Sequence, residues 1–296
     1  MRGLVLLTGL WVLVLLPLQV EAYEVLILQS SHSSAYDDAL KGLRSVRKFS
    51  ERLLVLSDYS EVDLQRIVRE EQPLVVLALG DNAYTAARKI RHTPVVVMMA
   101  PNYRAGAGGS PSITGVDLTL PPERYLGFFS SMRLKRVGVV ASHLKSGQYM
   151  RVARQIDQRY GVELVVREVT SAREVAGQLA SLRGVVDAIW LLPDDMAVTR
   201  ETTDTFFQFA MQQQVPVIAF SGAYLKIGAA CAVEINRQDV GRQAGELVSS
   251  LLSGSDVGSL QPQFPRRAVI RANTTVLQRF GLQVPDGVSV SAGEGR

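Results

Sequence analysis

Six apolar runs of the sequence each end in a short cluster of hydroxyl, amide, imidazole or carboxylate side chains. Such groups can bind a carboxylate, a phosphate or an ammonium group, and they can also cap a helix. In the first half of the chain these clusters are QSSHSS (29–34), LGDNAYT (79–85) and APNY (100–103). In the second half they are ASHLKSG (141–147), LPDDM (192–196) and FSGAY (220–224).

The first cluster has two interpretations, a helix cap or a ligand site. Ser34 stands three residues before Asp37, a spacing that favours Ser34 as the cap of the following helix. Ser30 and Ser31 come earlier, at the tip of the preceding strand, and are candidate ligand contacts. We therefore predict that the later serine holds the helix while the earlier pair faces a ligand.

Catalysis is disfavoured by the same residues. His32 lies close in sequence to serines and aspartates, but neighbours in one loop rarely point at one another as a catalytic triad requires. Three histidines and one cysteine show no metal-ligand spacing. The glycines of AGAGG (105–109) are followed by no predicted helix, which argues against a phosphate loop. We expect no enzyme activity, no metal and no cofactor.

Two further residues are candidates for ligand contact. His143 follows an apolar run and could touch a ligand. Asp194 and Asp195 are adjacent, so one could cap the following helix while the other pairs with a ligand ammonium. A pair of acids serving a glycosidase would need a separation that sequence does not reveal.

The elements that carry these clusters alternate in a regular way. Apolar runs rich in Val, Ile and Leu are separated by amphipathic stretches, which is typical of parallel strands covered by helices on both faces. The predicted strands are 23–29, 52–57, 73–80 and 94–100, then 136–142, 162–169, 186–193 and 215–221. A loop and a connecting strand at 101–122 separate the two series. The predicted fold is α/β, with two doubly wound parallel-sheet lobes. In such sheets ligands bind outside the carboxyl ends of the strands, where the polar clusters lie.

The first 22 residues have the parts of a secretory signal peptide. Arg2 gives a positive start, Leu4 to Leu18 is almost wholly apolar, and the small residues Val20 and Ala22 suit an export peptidase. We predict cleavage after Ala22. An uncleaved membrane anchor is the alternative, which the short apolar run disfavours.

Composition limits the remaining classes. The apolar fraction of 47% suffices for real cores. The net charge of +4 is scattered without a basic run, so we expect no nucleic-acid partner. Cys231 is the single cysteine and lies in an apolar run, which predicts a buried, inert thiol.

Several longer stretches resemble a known family. The markers are KRVGVV (135–140), VDAIWLLPDD (186–195), the stretch 215–246 with DVGRQ at 239–243, and NTTVLQRFGLQVP (273–285). In order and spacing they resemble the periplasmic substrate-binding proteins of ABC importers, in the branch that includes tryptophan- and tyrosine-binding members. The resemblance covers about residues 23–285. At two cleft loops the chain departs from the family's usual sequence, with GDNAY (80–84) and ASH (141–143).

The resemblance implies a type I periplasmic-binding fold, with a hinge of three crossovers and a central ligand cleft. We place the crossovers near 117–121, 234–237 and 262–266. The implied domains are a signal peptide (1–22), an N-terminal lobe (23–118 plus 236–263) and a C-terminal lobe (119–235 plus 264–290). By position, the family's binding site maps onto Ser30, Ser31, Asp81, Asn82, Asn102, Ser142, Asp194, Ser221 and Asn236.

The leading hypothesis is a monomeric periplasmic protein that binds a small amino-acid-like or carboxylate ligand and delivers it to ABC permease subunits. A ligand carboxylate would meet serine hydroxyls and helix amides, and an ammonium would meet Asp194 or Asp81. An aromatic wall could come from Tyr36, Tyr84, Tyr103 or Tyr224. The alternative is a sensing module that presents its closed form to a membrane receptor or kinase.

Overall fold

The computed structural model describes residues 23–100, 103, 112–283 and 289–291. Two sheets organise this part of the chain. The first is a five-stranded parallel sheet in the order β2-β1-β3-β4-β5. Its strands are β1 Val25–Gln29, β2 Glu51–Val55, β3 Val75–Leu79, β4 Val95–Met98 and β5 Ile113–Gly115.

The second sheet has seven strands in the order β12-β11-β10-β9-β8-β6-β7. Its pairings are parallel except for the antiparallel pair β10–β11. Its strands are β6 Arg136–Ser142, β7 Glu163–Val169, β8 Ala188–Trp190, β9 Val217–Ala219, β10 Cys231–Ile235, β11 Ala268–Asn273 and β12 Ser289–Ser291.

Helices cover both faces of each sheet, as the apolar character of the strands requires. The described helices are α1 Ser34–Arg44, α2 Leu64–Glu71, α3 Asp81–Ala87, α4 Pro122–Ser131, α5 His143–Ile156, α6 Val175–Ala180, α7 Arg200–Gln213, α8 Arg237–Leu252 and α9 Thr274–Arg279. Helices α1 and α8 pack on one face of the first sheet, and α2 and α3 on the other. Helices α4, α5 and α9 pack on one face of the second sheet, and α6 and α7 on the other. The predicted fold class, two doubly wound α/β layers, is confirmed.

Helix α8 packs unusually closely on α1. A Cβ atom added at Gly241 would overlap the carbonyl oxygen of Ala39, and one added at Gly42 would overlap that of Gln238. At Gly245 the approach is less tight, and an added Cβ atom would lie 2.8 Å from the carbonyl oxygen of Leu43. Because the backbones themselves approach, no side chain can stand at these crossing points. The conspicuous DVGRQ stretch thus contains a glycine that the packing of two helices requires.

The chain passes between the two sheets at three places within the described residues, around 117–120, 235–237 and 263–267. Buried Gln243, on α8, holds the third of these segments, around 263–267, by hydrogen bonds. Its side-chain nitrogen lies 3.1 Å from both Oε1 of Gln263 and the carbonyl oxygen of Phe264, and its Oε1 accepts from the backbone nitrogen of Arg266 at 2.9 Å. The exact domain limits stay a prediction.

The cap of α1 differs from the expectation. The capping residue is Ser33, whose Oγ accepts a hydrogen bond from the backbone nitrogen of Ala35 at 3.3 Å. Ser34 is already the first helical residue and cannot cap. The three-residue spacing from Ser34 to Asp37 suggested Ser34 as the cap. An N-cap residue needs an extended backbone, however, and Ser33 has one, with φ −161° and ψ 132°.

Two remaining expectations concern Cys231 and the membrane. Cys231 is fully buried in β10, which confirms the predicted burial, and burial raises the pKa of its thiol to about 12; its inertness stays a prediction. In the part of the chain that the structure describes, no helix has both the length and the apolar character needed to cross a bilayer. The predicted signal peptide lies outside those residues.

Candidate functional site

The carboxyl ends of β1 and β3 form the first polar group. Ser30 is buried, and its Oγ lies 3.1 Å from the carbonyl oxygen of Leu79 and 2.9 Å from the backbone nitrogen of Ala83. Ser30 therefore links the two strand ends and supplies a cap for α3, whose own N-cap residue, Gly80, has no side chain. Ser31 is exposed, as is Asn82, while Asp81 is half-buried.

A prediction separates the two serines. Ser30→Ala removes the acceptor for an amide in the first turn of α3 and is expected to lower the free energy of unfolding by about 1–2 kcal/mol. Ser31→Ala, at an exposed side chain, should change it by less than about 0.5 kcal/mol. Urea unfolding of the two variants measures both values. Equal stability would contradict the capping role of Ser30.

Tyr36 lies over this group. Its ring is half-buried, and its hydroxyl stands against Gly80, where a Cβ atom would overlap both the Tyr36 hydroxyl and Oγ of Ser30. Gly80 also has φ +92°, a conformation that favours glycine. Burial raises the pKa of Tyr36, a hydrogen bond with Ser30 opposes the rise, and the Asp81 carboxylate adds to it. Tyr36 thus stays a neutral phenol that can form hydrogen bonds beside Ser30 and the Asp81 carboxylate.

Asp194 is the centre of the second polar group, at the carboxyl ends of β6 and β8. The residue is 1% exposed. Its Oδ2 accepts from the backbone nitrogen of Ser142 at 2.8 Å and from Oγ of Ser146 at 2.7 Å. Its Oδ1 accepts from the backbone nitrogens of Met196 and Ala197 at 3.1 and 3.0 Å. The carboxylate joins two strand-end loops through four internal donors.

This environment bears on the predicted role of Asp194. A ligand ammonium would have to compete with donors that already occupy both oxygens. Ser142, also buried, caps α5 through its Oγ, which accepts from the backbone nitrogen of Lys145 at 3.3 Å. Direct ligand contact by Asp194 and Ser142 stays a prediction, and the geometry favours a positioning role for both.

The other predicted site residues that the structure describes make no hydrogen bond to the Asp194 side chain. His143 is exposed, with Nδ1 2.9 Å from Oε2 of Glu168. Half-buried Ser221 caps the 3₁₀ turn Gly222–Ile227. Half-buried Asn236 caps α8 by accepting from the backbone nitrogen of Asp239 at 2.9 Å. Asn102 lies outside the described residues.

Of the four tyrosines predicted as an aromatic wall, Tyr36 and Tyr224 are half-buried, and Tyr36 is the one that stands against the Ser30 group. Tyr84 and Tyr103 are buried and pack edge to face, with ring centroids 6.1 Å apart. Their hydroxyls donate to the carbonyl oxygens of Tyr103 and Gly115. Tyr224 lies between Phe207 and Phe220, with centroids 6.2 and 5.2 Å away.

Sequence reasoning missed residues that orient the Ser221 loop. Oε1 of Glu234 accepts from the backbone nitrogen of Gly222 at 2.6 Å, while Oε2 accepts from Nε of Arg271 at 2.8 Å. An acid near the end of an otherwise apolar strand is the signal that could have revealed Glu234. Ser146 was also missed, although its i+4 spacing from Ser142 places both on one side of α5.

Chemically, the two groups offer hydroxyls, capped helix ends, one half-buried phenol and carboxylates. Among the described residues no cluster of three or more His, Cys, Asp or Glu side chains could hold a metal ion. The arrangement suits recognition of a small polar molecule by hydrogen bonds at strand ends.

Comparison with known proteins gives the family and relatives. The family model described as ABC transporter substrate binding protein matches residues 58–295. A curated relative, the tyrosine-binding protein of Clostridioides difficile (strain R20291), is 21% identical over 228 residues. That alignment covers 74% of this chain and 66% of the relative, just under two thirds of its length.

Solved structures with the same fold were also found. A ligand-free, open substrate-binding protein with adhesive properties from Clostridium difficile is 16% identical with a TM-score of 0.68, covering 91% of this chain and 99% of that one. An ABC domain from Streptococcus pneumonia in complex with L-Trp is 17% identical with a TM-score of 0.65, covering 89% and 96%. These likenesses support the type I periplasmic-binding fold.

Proposed function

Because the chain belongs to the ABC transporter substrate-binding protein family, we propose that it captures a small amino-acid-like or carboxylate ligand between two lobes and delivers it to an ABC importer. The family binds solutes without transforming them, which confirms the expectation that the chain is not an enzyme. One observation carries the proposal. The chain forms two doubly wound sheets that are joined by three connecting segments, and each sheet has a polar group at the carboxyl ends of its strands. A ligand that contacts both lobes would favour a closed form for the permease subunits to recognise.

The proposed ligand class is aromatic amino acids. Tyrosine and L-Trp are the ligands named for two of the relatives. In this chain the ring and neutral hydroxyl of Tyr36, beside Ser30, suit an aromatic side chain with a polar edge. The half-buried Asp81 carboxylate, one residue past Gly80, suits the ligand ammonium. Delivery in the periplasm, after cleavage behind Ala22, is part of the same proposal.

Native mass spectrometry of the purified full chain tests ligand identity, followed by thermal unfolding with tryptophan, tyrosine, phenylalanine and aliphatic amino acids. A true ligand at a hundred times its dissociation constant should add about 2.7 kcal/mol of stability. Tyr36→Leu should weaken that effect for aromatic ligands, whereas Tyr59→Leu, at an exposed ring, should leave it unchanged. If no amino acid or carboxylate stabilises the protein, the proposed function is wrong.

Ligand-driven closure should be visible through Trp190. This residue is fully buried and contacts Tyr125, Phe129 and Tyr149, with ring centroids 4.6, 5.2 and 6.2 Å away. Tyr149 in turn donates to the carbonyl oxygen of Leu120 at 2.9 Å, on the first connecting segment. We expect a saturable change in tryptophan emission with the true ligand, because movement of that segment reaches Trp190 through Tyr149.

A smaller radius of gyration should accompany the change in emission, as measured by X-ray scattering. The Trp190→Phe variant is the control, and its emission should not respond to the ligand. Tight binding with an unchanged scattering curve would contradict the closing mechanism while leaving the fold intact.

A further inference from the structure

A groove of about 390 Å³ runs along α5 on the side that faces strand β7. Strand β7 is an edge of the second sheet, so the groove is open to solvent along one side. We call it the α5–β7 groove; it is lined by His143, Gly147, Met150, Arg151, Arg154, Gln155, Val166 and Glu168. The helical members recur at spacings of three and four, which places them on one face of α5.

The charges of the α5–β7 groove are unbalanced. Arg151 and Arg154 are exposed, and neither forms an ion pair or a hydrogen bond with another described residue. The one carboxylate among the eight lining residues, Glu168, is already paired with Nδ1 of His143 at 2.9 Å. Two guanidinium groups three residues apart therefore face the groove without a partner.

The floor between these cations is apolar. Met150 is buried at 2% exposure, and Val166 is half-buried on the edge strand. Gly147 contributes no side chain, and a Cβ atom there would lie 3.6 Å from Nδ1 of His143, an ordinary contact. The volume is in the range of small-molecule sites, which bury an apolar body and fix it with a few polar groups.

We propose that the α5–β7 groove binds an amphipathic anion, with its carboxylate or phosphate held by Arg151 and Arg154 and its apolar body lying over Met150 and Val166. Guanidinium groups bind such anions through paired, charge-assisted hydrogen bonds. The Gln155 amide can complete the anion's hydrogen bonds, and the His143–Glu168 pair closes the other end of the groove. His143 and Gly147 belong to the strand-end cluster 141–147, but none of the eight lining residues hydrogen-bonds to Asp194, and the site does not depend on the ligand proposed at the strand ends.

Methionine-methyl NMR of the full chain, with hexyl phosphate as the probe, tests this site. The chain has seven methionines, and Met150→Leu assigns the signal of interest. We expect a saturable shift of the Met150 methyl signal with hexyl phosphate, and much weaker responses to inorganic phosphate and to hexanol. This pattern of responses is diagnostic, because only an amphipathic anion contacts both the two arginines and the apolar floor of the groove.

Two variants and one control sharpen the result. Arg151→Gln with Arg154→Gln should weaken hexyl phosphate binding about tenfold or more, equivalent to about 1.4 kcal/mol. Gly147→Leu should abolish the shift by filling the groove without changing its charge. Arg173→Gln with Arg183→Gln removes the same charge from exposed positions outside the groove and should leave binding unchanged. All variants should keep the thermal response to the strand-end ligand.

Several outcomes would overturn the proposal. Absence of a saturable Met150 shift would do so, as would equal weakening in the control variant, which would indicate unspecific charge attraction. Inorganic phosphate binding as tightly as hexyl phosphate would remove the role of the apolar floor. Tighter binding of a glutamate-rich decapeptide than of hexyl phosphate would reassign the groove to an acidic partner protein.

Discussion

Gly241→Ala is expected to lower the free energy of unfolding by about 3 kcal/mol or more. The added methyl group would overlap the carbonyl oxygen of Ala39, at the crossing of α8 and α1. Both partners at this contact are backbone, so no rotamer change relieves the overlap and the helices must separate. Separation would open the apolar layer in which Val240 and Ala244 pack against Ala39 and Leu43. Urea or thermal unfolding measures the loss.

Gly177→Ala is the matched control for this change. Gly177 also lies within a helix, α6, but a Cβ atom there meets nothing within 4 Å. Alanine is the better helix former by about 1 kcal/mol, so this variant should be as stable as the parent or slightly more so. Comparable stability of the Gly241 and Gly177 variants would show that α1 and α8 can move apart at little energetic cost.

Asp194→Ala is expected to destabilise the protein by about 3 kcal/mol. The substitution leaves two loop amides, the Ser142 amide and the Ser146 hydroxyl without their acceptor in a region that is closed to solvent. Asp195→Ala is the control, because Asp195 is half-exposed and makes one 3.4 Å pair with Lys145. That variant should lose less than about 1 kcal/mol.

The same experiment decides between two roles of Asp194. A positioning role predicts a large fall in stability, with any loss of ligand affinity following from displaced loops. The sequence-based hypothesis of an ammonium partner predicts weak binding with normal stability. Measuring the unfolding free energy and ligand affinity of Asp194→Ala side by side therefore separates them.

Much of the fold could be predicted because its signals are local. Strands such as β1 and β3 are wholly buried, and their uninterrupted apolar character marks them in the sequence. The polar clusters directly follow the strands in the sequence. Because the strands are parallel, these clusters lie at the same edge of each sheet. The packing of α8 on the first sheet carries no such local signal, and that assignment depended on the family resemblance.

The details of the site could not be predicted because they depend on contacts between distant segments. Ser30 caps a helix that begins 51 residues later along the chain, at Asp81. Asp194 gains two of its four donors, the Ser142 amide and the Ser146 hydroxyl, from the end of β6 and the start of α5, so two adjacent acids in the sequence do not reveal its burial. The α5–β7 groove forms where helix α5 packs beside the edge strand β7, and the sequence of neither segment alone predicts it.

The late position of α8 in the chain affects how the protein is made. The ribosome releases β1 to β5 first, but α8, the second of the two helices that cover one face of their sheet, follows only after β6 to β10. At bacterial rates of translation this gap lasts on the order of ten seconds. Throughout that interval α1 is the one described helix available to cover the Val25, Ile27 and Leu77 face of the first sheet, whose core stays incomplete until α8 is made. Holding chaperones therefore have a long period in which to bind this chain before either half can finish folding.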